Sequence, residues 1–508
     1  EKSYILHIAL YFIITAGYIT GLVFLRRYFD RLIDDSRKDD RFILPMACRF
    51  IIAVALSLLC LFGIRGRTGY NPIKISQAYY CDDPFLNQLG INPAFNLLTS
   101  ALDDMRKENS ELHLMPYGEA ITAARQSLGI SGAVDSMHVM RRMITTTGEP
   151  QKRNVVVILM ESMSANFLST FGQEQHLTPT LDSLYNHSLA FTHYYSAGIH
   201  TNHGMTASLY SFPALMFRNL MKGTVTPHRT GIPTVLKSYG YHNMFFMTHE
   251  AQYDNMKAFF TTNGYDDIYS QEDYPKDEVV NSFGVSDHFL FGYALNKINT
   301  CAAKRKPFFA TILTISNHPP YVIPSFFKPK TKEPETQIVE YADWSIGDFL
   351  KKAEKEPWFK NTIFVIMADH GKLVGKATTE APESYNHIPL IMFGPGIPAK
   401  HYDGLATQVD VMPTLLSLLN MSYEYDGFGQ NILKTPRPMV FYSADNQVIA
   451  RNQKMVYVYN PKMQKSFCYL INPDGSLKET TMSAAFKPLQ HYVFSMIQTA
   501  QFALKRQQ

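Results

Sequence analysis

Residues 154–160 read NVVVILM and run straight into Glu161 and Ser162. The run is apolar after its first residue and short, so it reads as a strand buried on both faces, the kind that fills the middle of a parallel sheet. Working outward, the texture recurs in Asn243–Met247 (NMFFM), Phe308–Ile315 (FFATILTI) and Thr362–Met367 (TIFVIM), with Leu390–Phe393 as a shorter fifth run. Helical segments alternate with these runs. The pattern predicts an α/β domain with a central, mainly parallel sheet flanked by helices.

In open α/β sheets the chemistry collects at the carboxyl ends of the strands. The first strand leads into Glu161, the second into His249, the third into His318, and the fourth, after Ala368, into Asp369 and His370. Any one of these alone is more often a helix cap or an ordinary histidine, but their convergence on one sheet edge points to a site. Two carboxylates and a histidine offer oxygen and nitrogen donors suited to Mn²⁺, Zn²⁺ or Mg²⁺. Ser196–Pro213 (SAGIHTNHGMTASLYSFP) supplies a nucleophile: Gly198 permits a sharp turn, Thr201 opens a helix, and His200 and His203 flank it. On spacing alone Thr201 reads as an N-cap. A hydroxyl at a helix N-terminus and beside a dication also ionises near neutral pH, so capping and catalysis need not compete.

Upstream, Tyr4–Leu25 is a run of 22 residues without a formal charge, and Ile43–Ile64 is a second of equal length broken only by Arg49. Each is long enough to span a bilayer. Arg26, Arg27, Arg31, Arg37, Lys38 and Arg41 lie between them and predict a cytoplasmic loop, which places everything after about residue 65 outside the cytoplasm. The chain opens with Glu1, which suggests a native start further upstream. With 46% hydrophobic and 18% charged residues the composition excludes disorder, and a net charge of +4 argues against a nucleic-acid partner. The five cysteines contain no CxxC, which argues against a cysteine metal site; one disulfide among Cys81, Cys301 and Cys468 stays open.

The phrases Glu161-Ser162, LTPTLDSL (Leu177–Leu184), FTHYYSAG (Phe191–Gly198), GIHTNHG (Gly198–Gly204), SNHPPY (Ser316–Tyr321), ADHG (Ala368–Gly371), HIPLIMFGPG (His387–Gly396) and QVDVMPTLLSLL (Gln408–Leu419) follow one another in a telling order. That order resembles the sulfatase-like branch of the alkaline phosphatase superfamily, and within it the lipoteichoic acid synthase and membrane phosphoglycerol transferase group. The resemblance covers about residues 154–425. It implies that Glu161, Thr201, Asp369 and His370 bind one divalent metal, that Thr201 is the nucleophile, and that His318 meets the substrate phosphate. His249 and His203 are further substrate-binding candidates that match less securely, and a second metal stays open.

Four parts are expected: 1–64, two transmembrane helices with a cytoplasmic loop; 65–150, a juxtamembrane helical connector; 151–425, the catalytic domain; and 426–508, a β-rich C-terminal subdomain packed on it. The group commonly carries more N-terminal spans than the two found here. The implied activity moves phosphoglycerol or phosphoethanolamine from a membrane phospholipid to a glycan or lipid-linked hydroxyl through a phosphothreonine, on the extracytoplasmic side. Formylglycine chemistry is excluded at this position, because Thr201 is followed by Asn202, His203, Gly204 and Met205, with neither the Pro at plus two nor the Arg at plus four. A phosphatase or phosphodiesterase using the same threonine, and a non-catalytic sensor on the same fold, are the alternatives.

Overall fold

The structure, a computed structural model, describes residues 16–31, 46–67, 73–81, 86–87, 89–93, 95, 97, 111–222 and 226–507. The first apolar run, the basic loop after it and the helical connector expected over residues 65–150 lie partly outside these residues. The chain divides into two compact units, residues 1–73 and 74–508. In the first, residues 16–31 are helical, and Met46–Arg65 is a helix of 20 residues, long and apolar enough to cross a membrane.

The second unit is built on an eight-stranded sheet. Its strands are β1 (Asn154–Met160), β2 (Leu189–Tyr195), β3 (His242–Met247), β4 (Asp267–Tyr269), β5 (Phe308–Leu313), β6 (Thr362–Ala368), β7 (Leu390–Phe393) and β8 (Lys400–Thr407). They lie in the order β8-β2-β7-β6-β1-β5-β3-β4. Only β7 runs against its neighbours, so the sheet is mixed but mainly parallel. Every residue of β1, β5 and β6 is buried, which is why these strands are uninterrupted apolar runs. Three strands, β2, β4 and β8, have no counterpart among the expected runs, and β4 is only three residues long. β8 is an edge strand whose first half is largely exposed and polar, and β2 carries Thr192 and His193 in its middle.

The strand register brings the reactive positions together. Met160 pairs with Ala368, so Glu161 and Asp369 leave the sheet side by side. Leu159 and Met247 both pair with Leu313, which brings the segments leading to His249 and His318 to the same edge. Because β7 reverses between them, β2 runs parallel to β6 and delivers Ser196–Thr201 to that edge too.

A second sheet, antiparallel and five-stranded, consists of β9 (Val440–Ala444), β10 (Gln447–Arg451), β11 (Met455–Asn460), β12 (Lys465–Ile471) and β13 (Leu477–Thr480) in sequential order. The helix Lys487–Gln507 and the helix Tyr117–Ser127 share a hydrophobic cluster with one of its faces. Residues 111–144 are thus built into the unit: the Leu112 and Leu114 amides donate to Gln501 and Gln498, and Arg142–Ile144 pairs antiparallel with Tyr423–Tyr425. Ahead of β9, Arg437 donates to both oxygens of Asp410 at 2.7–2.9 Å, to the Tyr492 hydroxyl at 3.0 Å and to the Phe428 carbonyl at 2.8 Å. Both charged side chains of this pair are buried. All five cysteines are free, so no disulfide forms among Cys81, Cys301 and Cys468.

Candidate active site

Glu161, Asp369 and His370 present ligand atoms that all lie within 4.8 Å of one another. Each is held by local hydrogen bonds that leave one atom pointing inward. Asp369 Oδ1 accepts the amides of Ser162 at 2.9 Å and His370 at 2.7 Å, while its buried Oδ2 has no partner. Glu161 Oε1 accepts the Ser162 hydroxyl at 2.6 Å, leaving Oε2 toward Thr201. His370 Nδ1 lies 2.7 Å from the Gly371 carbonyl and can only donate to it, so Nε2 carries its lone pair toward Glu161 Oε1 at 3.9 Å and Asp369 Oδ2 at 3.7 Å. With the ring neutral, three lone-pair donors face one another in a buried space and repel unless a cation, either a proton on Nε2 or a metal ion, sits among them. This donor set fits a divalent metal, with the carbonyl bond to His370 acting as the outer partner that orients a ligating imidazole.

The same strain is visible in the acidities. Burial, then the neighbouring Glu161 carboxylate, pushes Asp369 up to about 7. Burial pulls the His370 imidazole down, but Asp369 and Glu161 more than offset this and leave it raised.

Thr201 is the first residue of the helix Thr201–Tyr210 and donates its hydroxyl to Glu161 Oε2 at 3.3 Å. It is not the N-cap. That position belongs to His200, whose carbonyl accepts the amides of His203 and Gly204, and no side chain caps the helix. The threonine side chain is thereby free to face the acidic cluster rather than fold back on its own helix. Two contacts lock this helix to the segment after β6. A Cβ on Gly204 would overlap the Asp369 carbonyl oxygen. Gln408, fully buried, accepts the Ala197 amide at 2.8 Å and donates to the carbonyls of Ala368 at 3.0 Å and Asp369 at 2.7 Å.

The remaining histidines are placed differently. His318 is on the surface side, with Nδ1 2.6 Å from the Pro319 carbonyl and its ring 4.1 Å from that of Phe283. His249 is buried against Tyr253, with Nδ1 3.1 Å from the Glu250 carbonyl. His203 lies behind the nucleophile helix, Nε2 3.1 Å from the Arg218 carbonyl, and burial pushes it down to about 3.

Two further residues around the site, Lys372 and Asp445, have no signal in the sequence runs. Lys372, two residues after His370, donates to Asn317 Oδ1 at 2.5 Å and to the Tyr321 hydroxyl at 3.1 Å, and Asn317 in turn donates to the Ser162 carbonyl at 2.9 Å. Burial pushes the Lys372 ammonium down to about 8. Asp445, in the turn between β9 and β10, sits 2.6 Å from His200 Nε2. A cleft of about 260 Å³ opens there, lined by Ile199, Glu380, Tyr385, Asp445, Asn446 and Gln447 among others.

A mixed eight-stranded sheet whose carboxyl edge gathers two acids, a histidine and a helix-initial threonine defines an enzyme fold of the alkaline phosphatase superfamily. A solved structure from that superfamily, from Vibrio parahaemolyticus, superposes with a TM-score of 0.70 at 27% identity, covering 77% of this chain and 96% of that one. The Sulfatase family model matches residues 153–421, more than half of the chain, and the chain belongs to that family. It is 24% identical over 354 residues to the lipoteichoic acid synthase-like YvgJ of Bacillus subtilis, covering 63% of this chain and 55% of that protein. It is 23% identical over 441 residues to phosphoglycerol transferase I of Salmonella choleraesuis, covering 82% and 54%. The chain therefore spans about half the length of the curated relatives it matches. The lipoteichoic acid synthase LtaP of Listeria monocytogenes shares the fold, with a TM-score of 0.63 at 19% identity over 76% of this chain and 98% of that one.

Proposed function

We propose that this chain is a metal-dependent transferase that moves phosphoglycerol from a phospholipid to a hydroxyl acceptor through Thr201. The observation that carries the reading is the Thr201 hydroxyl at 3.3 Å from Glu161, beside a cluster whose geometry calls for a cation. The names of the relatives, a phosphoglycerol transferase and lipoteichoic acid synthases, support phosphoglycerol over phosphoethanolamine as the group moved.

Glu161, Thr201, Asp369 and His370 would hold the metal. When bound, it supplies positive charge that favours ionised Thr201 and stabilises the crowded phosphate oxygens. Thr201 Oγ bonds to phosphorus, the bond to the diacylglycerol oxygen breaks, and an acceptor hydroxyl later takes the phosphoglycerol from Thr201. Lys372 and His318 are assigned to the donor phosphate and head group, and His249 to the wall beside them. His203, bonded to a backbone carbonyl behind the helix, is assigned to packing. The cleft beside Asp445 and Ile199, the latter two residues ahead of Thr201 in the chain, is assigned to the glycan or lipid-linked hydroxyl acceptor. The helix Met46–Arg65 is read as a membrane anchor, with the catalytic unit on the extracytoplasmic side.

The test incubates the purified full chain with phosphatidylglycerol and phosphatidylethanolamine separately, following diacylglycerol and the mass of the Thr201 peptide. Release from phosphatidylglycerol with phosphoglycerol on that peptide is the expected result. Release without any adduct would favour hydrolysis by water, and an adduct from phosphatidylethanolamine alone would overturn the choice of donor.

A further inference from the structure

Residues 321–332 (YVIPSFFKPKTK), which leave the site just after His318, combine bulky apolar side chains with three lysines and contain no acid. Phe326 is 52% exposed and Val322 36%. Trp344, on the helix Pro334–Ala353, is 37% exposed, its ring 5.6 Å from Phe326 and 5.7 Å from Phe327. Lys328, Lys330 and Lys332 are exposed beside them.

This segment is held in place rather than merely left out of the core. The Glu340 carboxylate accepts the amides of Lys330 and Thr331 at 2.8 and 2.9 Å and the Thr331 hydroxyl at 2.5 Å, and Phe327 packs its ring 5.5 Å from Tyr341. Glu340 is thus occupied beneath the lysines, and the acids that follow them, Glu333 and Glu335, flank the start of the helix. The exposed apolar surface also borders the site. Tyr321 bonds Lys372, whose neighbour Leu373 is 39% exposed. Val280, 44% exposed, lies on a hairpin that reaches the same loop through Asn281 and the Pro320 carbonyl and through Phe283 and His318.

Contiguous exposed apolar side chains with a charged rim mark an interaction surface. Aromatic rings at the level of a polar interface, with lysines able to reach anionic phosphates, suit a phospholipid surface better than a protein partner. We propose that residues 321–332 and Trp344 form a membrane-docking surface that seats the mouth of the site on an anionic bilayer. The proposal gives the lipid-donor reading a route, yet the quenching arm of its test needs no turnover.

Trp344 and Trp358 are the only two tryptophans of the chain, and Trp358 is buried with its indole N–H on Asn299. The full chain, carrying Thr201→Ala to silence any transfer, is reconstituted into phosphatidylglycerol vesicles containing acyl-brominated phosphatidylglycerol. Trp358→Phe protein, which retains Trp344, should be quenched, and Trp344→Phe protein should not. Adding Phe326→Ser and Lys330→Gln should remove most of the quenching. In protein with Thr201 intact, Phe326→Ser should lower the ratio of turnover on vesicle donor to turnover on a monomeric short-chain donor about tenfold, the effect of withdrawing one aromatic ring from the interface. Trp344 untouched by brominated lipid, or an unchanged ratio, would overturn the proposal. Equal quenching in phosphatidylcholine vesicles would overturn the role given to the lysines. Quenching without any Thr201 adduct in the parent protein would leave docking intact and refute the transfer mechanism instead.

Discussion

Two clusters of buried charge lie in the same unit and obey opposite rules. Asp410 and Arg437 neutralise each other, and the hydrogen bonds left over go to Tyr492, Phe428 and the amides of Thr407 and Gln430. Glu161, Asp369 and His370 are buried alongside one another, with two carboxylates facing a single imidazole at 3.7–3.9 Å and one carboxylate oxygen without a hydrogen bond. A buried charge is tolerated when it is paired, and an arrangement that withholds the partner reserves the place for something the chain does not encode. The first cluster holds the fold together; the second holds a place open at the expense of stability.

That contrast can be broken most forcefully at the nucleophile. Thr201→Ala should cut transfer by about 10⁴-fold or more while leaving the melting temperature nearly unchanged, because this hydroxyl caps no helix. A folded variant with near-parental diacylglycerol release would sink the mechanism. Next in size, Arg437→Met should cost about 3–5 kcal/mol of stability by stranding the Asp410 charge, with metal affinity of the surviving folded protein unaltered; denaturant unfolding and metal titration read the two quantities separately. Asp369→Asn should do the reverse, weakening metal binding by about 100-fold or more yet stabilising the metal-free protein by removing one of two facing carboxylates. Loss of stability in that variant would place Asp369 with the structural cluster.

The smallest effect is a pH slope. With Asp369 pushed up to about 7 from an ordinary 3.8, the metal-free folded state keeps a proton that the unfolded chain has released. Stability of the metal-free protein should therefore fall as pH rises from about 4 to about 7 and level off above. Saturating metal, which holds the carboxylate ionised as it already is in the unfolded chain, should flatten this slope across the same window, and calorimetric scans with and without chelator would show whether it does.

The parts of this arrangement legible in the sequence are those carried by local pattern. β1 and β6 announce themselves because burial on both faces leaves them almost wholly apolar, and their polar successors, Glu161, Asp369 and His370, stand out by contrast. β8 does not, since an edge strand that begins Lys-His-Tyr-Asp-Gly has no apolar period to read. The helix beginning at Thr201 is also legible, but assigning the cap to His200 rather than Thr201 requires knowing that the Thr201 hydroxyl has a partner forty residues away. Lys372, Gln408 and Asp445 share that difficulty. Their roles come from contacts between segments distant in the chain, which no periodicity records.

The overlap between position 204 and the Asp369 carbonyl gives the two halves of the site a common fate. One half rides on a helix and the other on the exit of a central strand, and they touch backbone to backbone with no side chain in between to serve as a cushion. The spacing between attacking oxygen and metal-binding oxygens is therefore set by this main-chain contact together with the Gln408 bridge. Even a methyl group added at Gly204 would act as a wedge between otherwise intact halves, yielding a protein with every catalytic group present and none in range.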